Sequence, residues 1–218
     1  NCCDQFAGIE GDFFMAFIGM DLGTTNSLVA VFRNGAAELI PNQSGDFLTP
    51  SVVSDYDGVL IAGVAAKSRL VSHPNQTASV FKRTMGAAKS YQLGKKTFKS
   101  EELSALVLRS LKSDAEAFLN TEVRDVVISV PAYFNEQQRK SVRAAVDLAG
   151  LNVRRLINEP TAAALAYGLN DIEDESTFLA FDLGGGTFDV SIIEMFEGVM
   201  EVRATAGDAY LGGEDFTK

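Results

Sequence analysis

Tryptophan is absent and histidine occurs once, at His73. A lone imidazole excludes a multi-histidine metal site, and His73 reads as a surface residue and not as a member of a catalytic triad. Cysteine is confined to the neighbours Cys2 and Cys3. Adjacent cysteines rarely form a useful bridge, so no disulfide framework exists, which fits a reducing, cytoplasmic setting. Positive charge is scarce: 19 Lys and Arg stand against 29 Asp and Glu. Neutralising a phosphate backbone needs clustered basic residues, so no nucleic-acid partner is expected. No run of about 18 apolar residues occurs, which leaves no helical membrane span and no membrane partner. The opening NCCDQFAGIEGDFF lacks the basic start and long apolar run of a signal peptide. Met15 leads at once into the strand-like AFIGM. Residues 1–14 are therefore expected to be an extension with no role in the fold, and Met15 the natural start.

Two nucleotide-binding signatures are also missing. The chain contains no G-x-x-x-x-G-K-[ST], because LGKKT has Lys89 where the upstream glycine would stand. Nor does a glycine fingerprint open a helix after a strand, as a dinucleotide fold requires.

What is present is a strand and helix alternation. Ala16–Met20 and Ser27–Phe32 read as strands joined by a turn at Gly23. Asn34–Gly35 is a hairpin signal and Ala37–Pro41 a third strand. Residues 48–99 mix short apolar runs with Gly, Ser and Pro and read as a small inserted subdomain. Ser100 is placed to cap a helix with Glu101 and Glu102 in its first turn and Leu103, Val107, Leu111, Ala115 and Phe118 on one face. DVVISVP is a continuous apolar run that suits a strand buried on both faces. Asn135 and Gln138 form a capping box for a helix running to Gly150, VRRLI is a strand, and Pro160 opens an alanine-rich helix. Thr177–Asp182, Val190–Glu194 and Met200–Ala204 read as strands. The fold class is α/β, with a mixed, mostly buried sheet and flanking helices.

One phrase occurs twice. IGMDLGTTNSLVAV, Ile18–Val31, and FDLGGGTFDV, Phe181–Val190, each run from an apolar strand through Asp-Leu-Gly and threonine into a second strand. Asp21 and Asp182 stand 182 − 21 = 161 residues apart, too far for a solenoid repeat. Two related half-domains explain this better, each opening on a hairpin whose turn binds phosphate. Glycine lets backbone N–H groups approach an anion closely, and successive N–H groups form an anion-binding concavity. Carboxylates beside phosphates repel them, so a cation must stand between, and a hydrated Mg²⁺ suits both.

MDLGTTNS, VPAYFNEQQR, INEPTAAALAYGL, FDLGGGTFDVS and AGDAYLGGEDF resemble the actin, sugar-kinase and heat-shock ATPase superfamily. More narrowly they resemble the nucleotide-binding domain of DnaK-type heat-shock protein 70 chaperones, from about Phe17 to the chain end. The resemblance implies an actin-like ATPase (ribonuclease H-like) fold. Residues 15–172 would form lobe I, with the inserted subdomain at about 50–100, and residues 173–218 the beginning of lobe II. The short segment between Arg83 and Glu101 is similar to the HscC branch.

The resemblance also implies roles. Asp21, Asp182, Asp189 and Glu159 would hold Mg²⁺, mainly through water. Gly23, Thr24, Thr25 and Asn26 would contact nucleotide from the first lobe, and Gly184, Gly185, Gly186, Thr187, Gly212 and Gly213 from the second. Lys82, Glu159, Asp182 and Thr187 would serve hydrolysis, with Lys82 at the γ-phosphate. Pro131 and Arg139 would relay nucleotide state to a peptide-binding domain. On residue chemistry alone Lys82 reads rather as a solvated lysine, Pro131 as a strand end and Arg139 as an exposed helix arginine, and only the resemblance reverses this; Glu159 alone would read as a helix-dipole residue. The implied cofactors are ATP or ADP with Mg²⁺, with K⁺ as a further candidate ion. The implied partners are a J-domain co-chaperone and unfolded polypeptide clients.

Only 218 − 189 = 29 residues follow the second loop, so the chain is expected to be one lobe plus the opening of the next, weak in nucleotide turnover by itself. A sugar-kinase-type phosphotransferase and an actin-like filament protein are the alternatives. VPAYF and NEPTAAALAYGL favour the chaperone.

Overall fold

Alternating small and β-branched residues make Ile18–Asp21 (β1) and Asn26–Arg33 (β2) strands that send Ile18, Met20, Val29 and Val31 into the core. The computed structural model describes residues 18–168, 176–196 and 199–217. Ala16, Cys2, Cys3 and the whole 1–14 extension lie outside the described residues. β2 turns at Asn34–Gly35, both left-handed, into Ala36–Leu39 (β3).

Asp125–Val130 (β10) lies between Asn152–Asn158 (β11) and β1, parallel to both. The first sheet therefore runs β11-β10-β1-β2-β3, with Thr49–Pro50 (β4) added to β2. This mixed sheet matches the expected α/β class. Helix Ser100–Leu119 (α3) buries Leu103, Val107, Leu111 and Ala115 against it and against helix Glu136–Leu148 (α4). Phe118 departs from the expected apolar stripe: it stays 37% exposed, with the Arg33 guanidinium 5.0 Å above its ring.

α4 begins as expected. The Gln138 N–H donates to Asn135 Oδ1 at 2.9 Å, and the Asn135 N–H donates to Gln138 Oε1 at 3.0 Å. α3 does not. Its cap position is Lys99, whose N–H donates to the Glu102 carboxylate at 2.7 Å. Ser100 is the first helical residue and fully buried, with its hydroxyl drawn to Thr84 Oγ1 at 2.8 Å. A buried hydroxyl needs a partner, and Thr84 outcompetes the capping bond.

Between β4 and α3, Val53–Tyr56 (β5), Val59–Ala62 (β6) and Thr77–Ala78 (β7) form a small sheet, with Val64–Lys67 (α1) and Arg69–Ser72 (α2) beside it. A hairpin of Ser90–Leu93 (β8) and Lys96–Lys99 (β9) follows. His73 sits exposed after α2, its Nδ1 2.8 Å from Ser72 Oγ.

A separate antiparallel sheet contains Ser176–Leu183 (β12), Phe188–Phe196 (β13) and Val199–Asp208 (β14), all longer than expected. Helix Glu159–Ala166 (α5) touches β10 and β11 of the first sheet and all three strands of this one, so it joins the two. Gly213–Phe216 (α6) ends the described chain.

Candidate active site

β1 ends on Asp21, and the parallel register with β10 sets Ser129 beside it. Ser129 Oγ donates to Asp21 Oδ1 at 2.6 Å. The following turn holds Gly23, where an added Cβ would lie 1.9 Å from the Asn26 carbonyl oxygen, so only glycine fits. Ser51 braces the turn: its hydroxyl donates to Gly23 O at 2.7 Å and its N–H to Thr25 O at 2.9 Å.

In the second sheet, Asp182 stands opposite Asp189 across β12 and β13. The turn between them closes with Gly184 N–H donating to Thr187 O at 2.9 Å. Among Gly184, Gly185 and Gly186 none has the left-handed φ that favours glycine. What they need is space. A Cβ on Gly185 would lie 2.1 Å from Thr25 Oγ1, and one on Gly186 2.1 Å from Thr24 Cγ2. The two loops, each read in the sequence as a phosphate turn, therefore meet face to face. Gly212 is equally confined, 2.5 Å from Gly186 N were a Cβ present. The N–H groups of Gly213 and Glu214 donate to Gly184 O and Gly185 O at 3.0 and 2.8 Å, docking α6 onto the glycine loop.

Lys82 is not a surface lysine. It is carried on the 3₁₀ turn Phe81–Thr84, is 5% exposed, and donates to Glu159 Oε1 at 2.7 Å. Burial works against its ammonium, but Glu159, Asp21 and Asp182 outweigh that and hold it above the ordinary lysine range. Glu159, the first residue of α5, thus does more than face a helix dipole. Burial pushes its carboxyl up, and Asp21 and Asp182 add to that against the pull of Lys82. The short contact keeps the pair charged. The upward push on Glu159 reflects burial first and carboxylate crowding second. Asp182 is likewise pushed up, first by burial and then by Asp21 and Asp189.

Asp189 is buried, and its Oδ1 accepts from Thr205 Oγ1 at 2.9 Å. Its Oδ2 has no hydrogen-bond partner among the described residues. A buried carboxylate oxygen left unsatisfied is costly, so this atom is matched to a positive or donating group from outside the chain. The Tyr133 hydroxyl, buried toward Thr187, makes no well-formed hydrogen bond either, and burial together with Glu159 and Asp189 pushes it up. Three of the four carboxylates, Glu159, Asp21 and Asp182, thus share one ammonium. No three of the four are close enough to hold one ion as direct ligands among the described residues. Beside them opens a cavity of about 470 Å³, lined by Asp182, Asp189, Glu159, Tyr167 and Phe178. A larger depression, about 530 Å³, lies at Lys99, Glu102 and Asp147 and includes none of these residues.

Arg139 is also more engaged than an exposed helix arginine. It donates from Nε to Phe134 O at 2.9 Å and from Nη2 to Ala132 O at 3.3 Å and Asn158 Oδ1 at 2.8 Å. It thereby ties the turn after Pro131 to the residue preceding Glu159. Pro131 itself is buried, and its carbonyl accepts from Phe134 N–H at 3.1 Å.

Sequence reasoning missed Ser129, Tyr133, Thr205 and Arg83. Ser129 left a signal, as a polar residue inside an apolar strand. Arg83 left none, because its partners lie more than 100 residues away, and Thr205 left none because its contact with Asp189 depends on the register of the neighbouring strand.

A family model described as Hsp70 protein matches residues 17–92 and 87–218.

Proposed function

Because the chain belongs to the Hsp70 family, we propose that it is the ATP-binding and ATP-hydrolysing part of a molecular chaperone. Members of that family are ATPases with an actin-like fold that use ATP with Mg²⁺. The ribonuclease H-like kinship of the two sheets belongs to the same reading. The observation that carries the proposal is the face-to-face contact of Gly185 and Gly186 with Thr25 and Thr24, beside the Lys82–Glu159 pair.

In this reading residues 15–172 are lobe I and residues 173–218 the beginning of lobe II. Phosphates are gripped between Gly23, Thr24, Thr25 and Asn26 on one side and Gly184 to Thr187, Gly212 and Gly213 on the other. The residues fit a divalent cation: Asp189 Oδ2 is unsatisfied, and Asp182 and Glu159 are pushed up by their neighbours. Mg²⁺ would be held by Asp21, Asp182, Asp189 and Glu159 through its waters, since they do not converge as direct ligands. It would neutralise phosphate charge; K⁺ is a further candidate ion. Lys82 is oriented by Glu159 and supplies a fixed positive charge and up to three N–H donors. Glu159 and Asp182 order water, and Thr187 adds a hydroxyl. Such catalysis is mostly positioning and charge neutralisation.

The Arg139 contacts support a relay from the Glu159 junction through Pro131 toward a peptide-binding domain. A J-domain co-chaperone and unfolded polypeptides would be the partners, in a cytoplasmic setting. The short segment between Arg83 and Glu101, a single hairpin here, supports the HscC-like placement.

The test follows the γ-phosphate of Mg·ATP by ³¹P NMR with the intact protein, with and without unfolded polypeptide and with a mixture of sugars. The proposal expects all of it as inorganic phosphate, released faster with polypeptide. Phosphate recovered on a sugar would overturn it in favour of the kinase reading.

A further inference from the structure

Arg83 follows Lys82 on the same turn, yet its side chain points to the other half of the molecule. It is 8% exposed. Its Nε donates to Gly186 O at 2.6 Å. Its Nη1 donates to Asp215 Oδ1 at 3.1 Å, and its Nη2 pairs with Asp215 Oδ2. Asp215 is held in turn by the Gly212 N–H, which donates to Oδ2 at 3.0 Å. One guanidinium therefore grips both the glycine loop and the helix docked on it. Among the described residues Arg83–Asp215 is the one ion pair that crosses from residues 18–168 to residues 176–217. Thr25 Oγ1 also reaches across to Glu214 Oε1 on α6, at a long 3.5 Å.

The geometry points to Arg83 as a positioning residue, a latch that holds the second glycine loop against the turn carrying Lys82 and so sets how long a bound nucleotide stays. The inference rests on the nucleotide reading above. A ligand gripped between the two loops leaves only when they part. Parting them breaks the bidentate pair and the Gly186 bond together. The fork geometry makes the latch specific to arginine, because a lysine can pair with Asp215 without reaching Gly186 O in the same pose. The same contacts fix Gly186 relative to Lys82, so nucleotide release and catalytic alignment share one device.

The test is the release rate of a fluorescent ADP, displaced by excess ATP in a stopped-flow experiment on the intact protein. Arg83→Met, Asp215→Asn, their double mutant and Arg83→Lys are compared with wild type. Arg83→Met and Asp215→Asn should each speed release by roughly tenfold or more, since each breaks a largely buried charge pair. The double mutant should be no faster than the faster single variant, and Arg83→Lys should recover part of the loss. That non-additivity would assign the effect to the Arg83–Asp215 contact itself, and the partial rescue by lysine to its charge. Release within twofold of wild type in both single variants, or effects that multiply in the double, overturns the latch. Asp215→Asn keeps size and shape, so it remains informative where Arg83→Met folds poorly. Wild-type protein that binds no fluorescent ADP at all overturns the nucleotide reading itself, and the latch with it. Binding with unchanged release in the variants removes the latch alone.

Discussion

Lys82 Nζ lies 2.7 Å from Glu159 Oε1, joining two residues 77 positions apart in the chain. The pair couples the turn after β7 to the first residue of α5, and both side chains are shielded from solvent. Neither half of the molecule could present this charge arrangement alone: the ammonium is held up by Asp21 from the first loop and Asp182 from the second.

Replacing Lys82 by alanine should abolish turnover while leaving nucleotide binding largely in place. Loss of one positioned charge in such a site costs on the order of 10²–10³ in rate. Single-turnover hydrolysis and calorimetric ATP binding on the same preparation check both halves. Turnover within tenfold of wild type removes Lys82 from the chemistry.

Carboxylate crowding makes a pH prediction. Asp182 and Glu159 have folded-state pKa values raised above 3.8 and 4.5, their ordinary values. A raised group contributes stability that is fully present below its unfolded value and lost as pH rises through the folded one. Without a cation the folded state therefore carries this penalty at neutral pH, and Mg²⁺ should relieve it. The gain in melting temperature from Mg·ADP is expected to be larger at pH 7.5 than at pH 5. Asp182→Asn should narrow that difference. An equal gain at both pH values in the wild type would count against the cation reading.

Asp114 lies on α3, buried except for the Gln43 N–H that it accepts, and burial raises its pKa to about 6. Its neutral form contributes stability below pH 3.8 that is lost as pH rises through about 6. Asp114→Asn keeps an acceptor for Gln43 and removes the charge. Urea unfolding should show the variant more stable than wild type by roughly 1–3 kcal/mol at pH 8, the rise from 3.8 to about 6 being worth about 3 kcal/mol at most. The difference should vanish near pH 4. A variant less stable at pH 8 would show that the carboxylate has a partner that stabilises it.

Much of this site was legible in the sequence because it is written in local backbone chemistry. Gly23 is required by a carbonyl three residues away, and the Asn135–Gln138 capping box by its own turn, so both could be read from short strings. The reason for Gly185 and Gly186 was harder. Their neighbours are Thr25 and Thr24, about 160 residues distant, so the repeated phrase revealed that the loops match but not that they touch. Ser100 was misread because capping propensity is local, whereas its true partner, Thr84, is brought in by tertiary packing. Lys82 and Arg83 stand side by side and look alike in sequence. Only the fold sends one to Glu159 and the other to Asp215.

If both loops hold one nucleotide, each must contribute to its affinity. Calorimetric titration of Mg·ATP into the intact protein, into Thr25→Ala and into Gly185→Ala tests it most directly. The first substitution trims the first loop, and the second places a methyl group where Thr25 now sits. Each substitution should weaken binding by tenfold or more, about 1.4 kcal/mol, with one ATP bound per chain at saturation. Affinity unchanged by either substitution would mean that one loop alone carries the ligand, and the shared grip would be wrong.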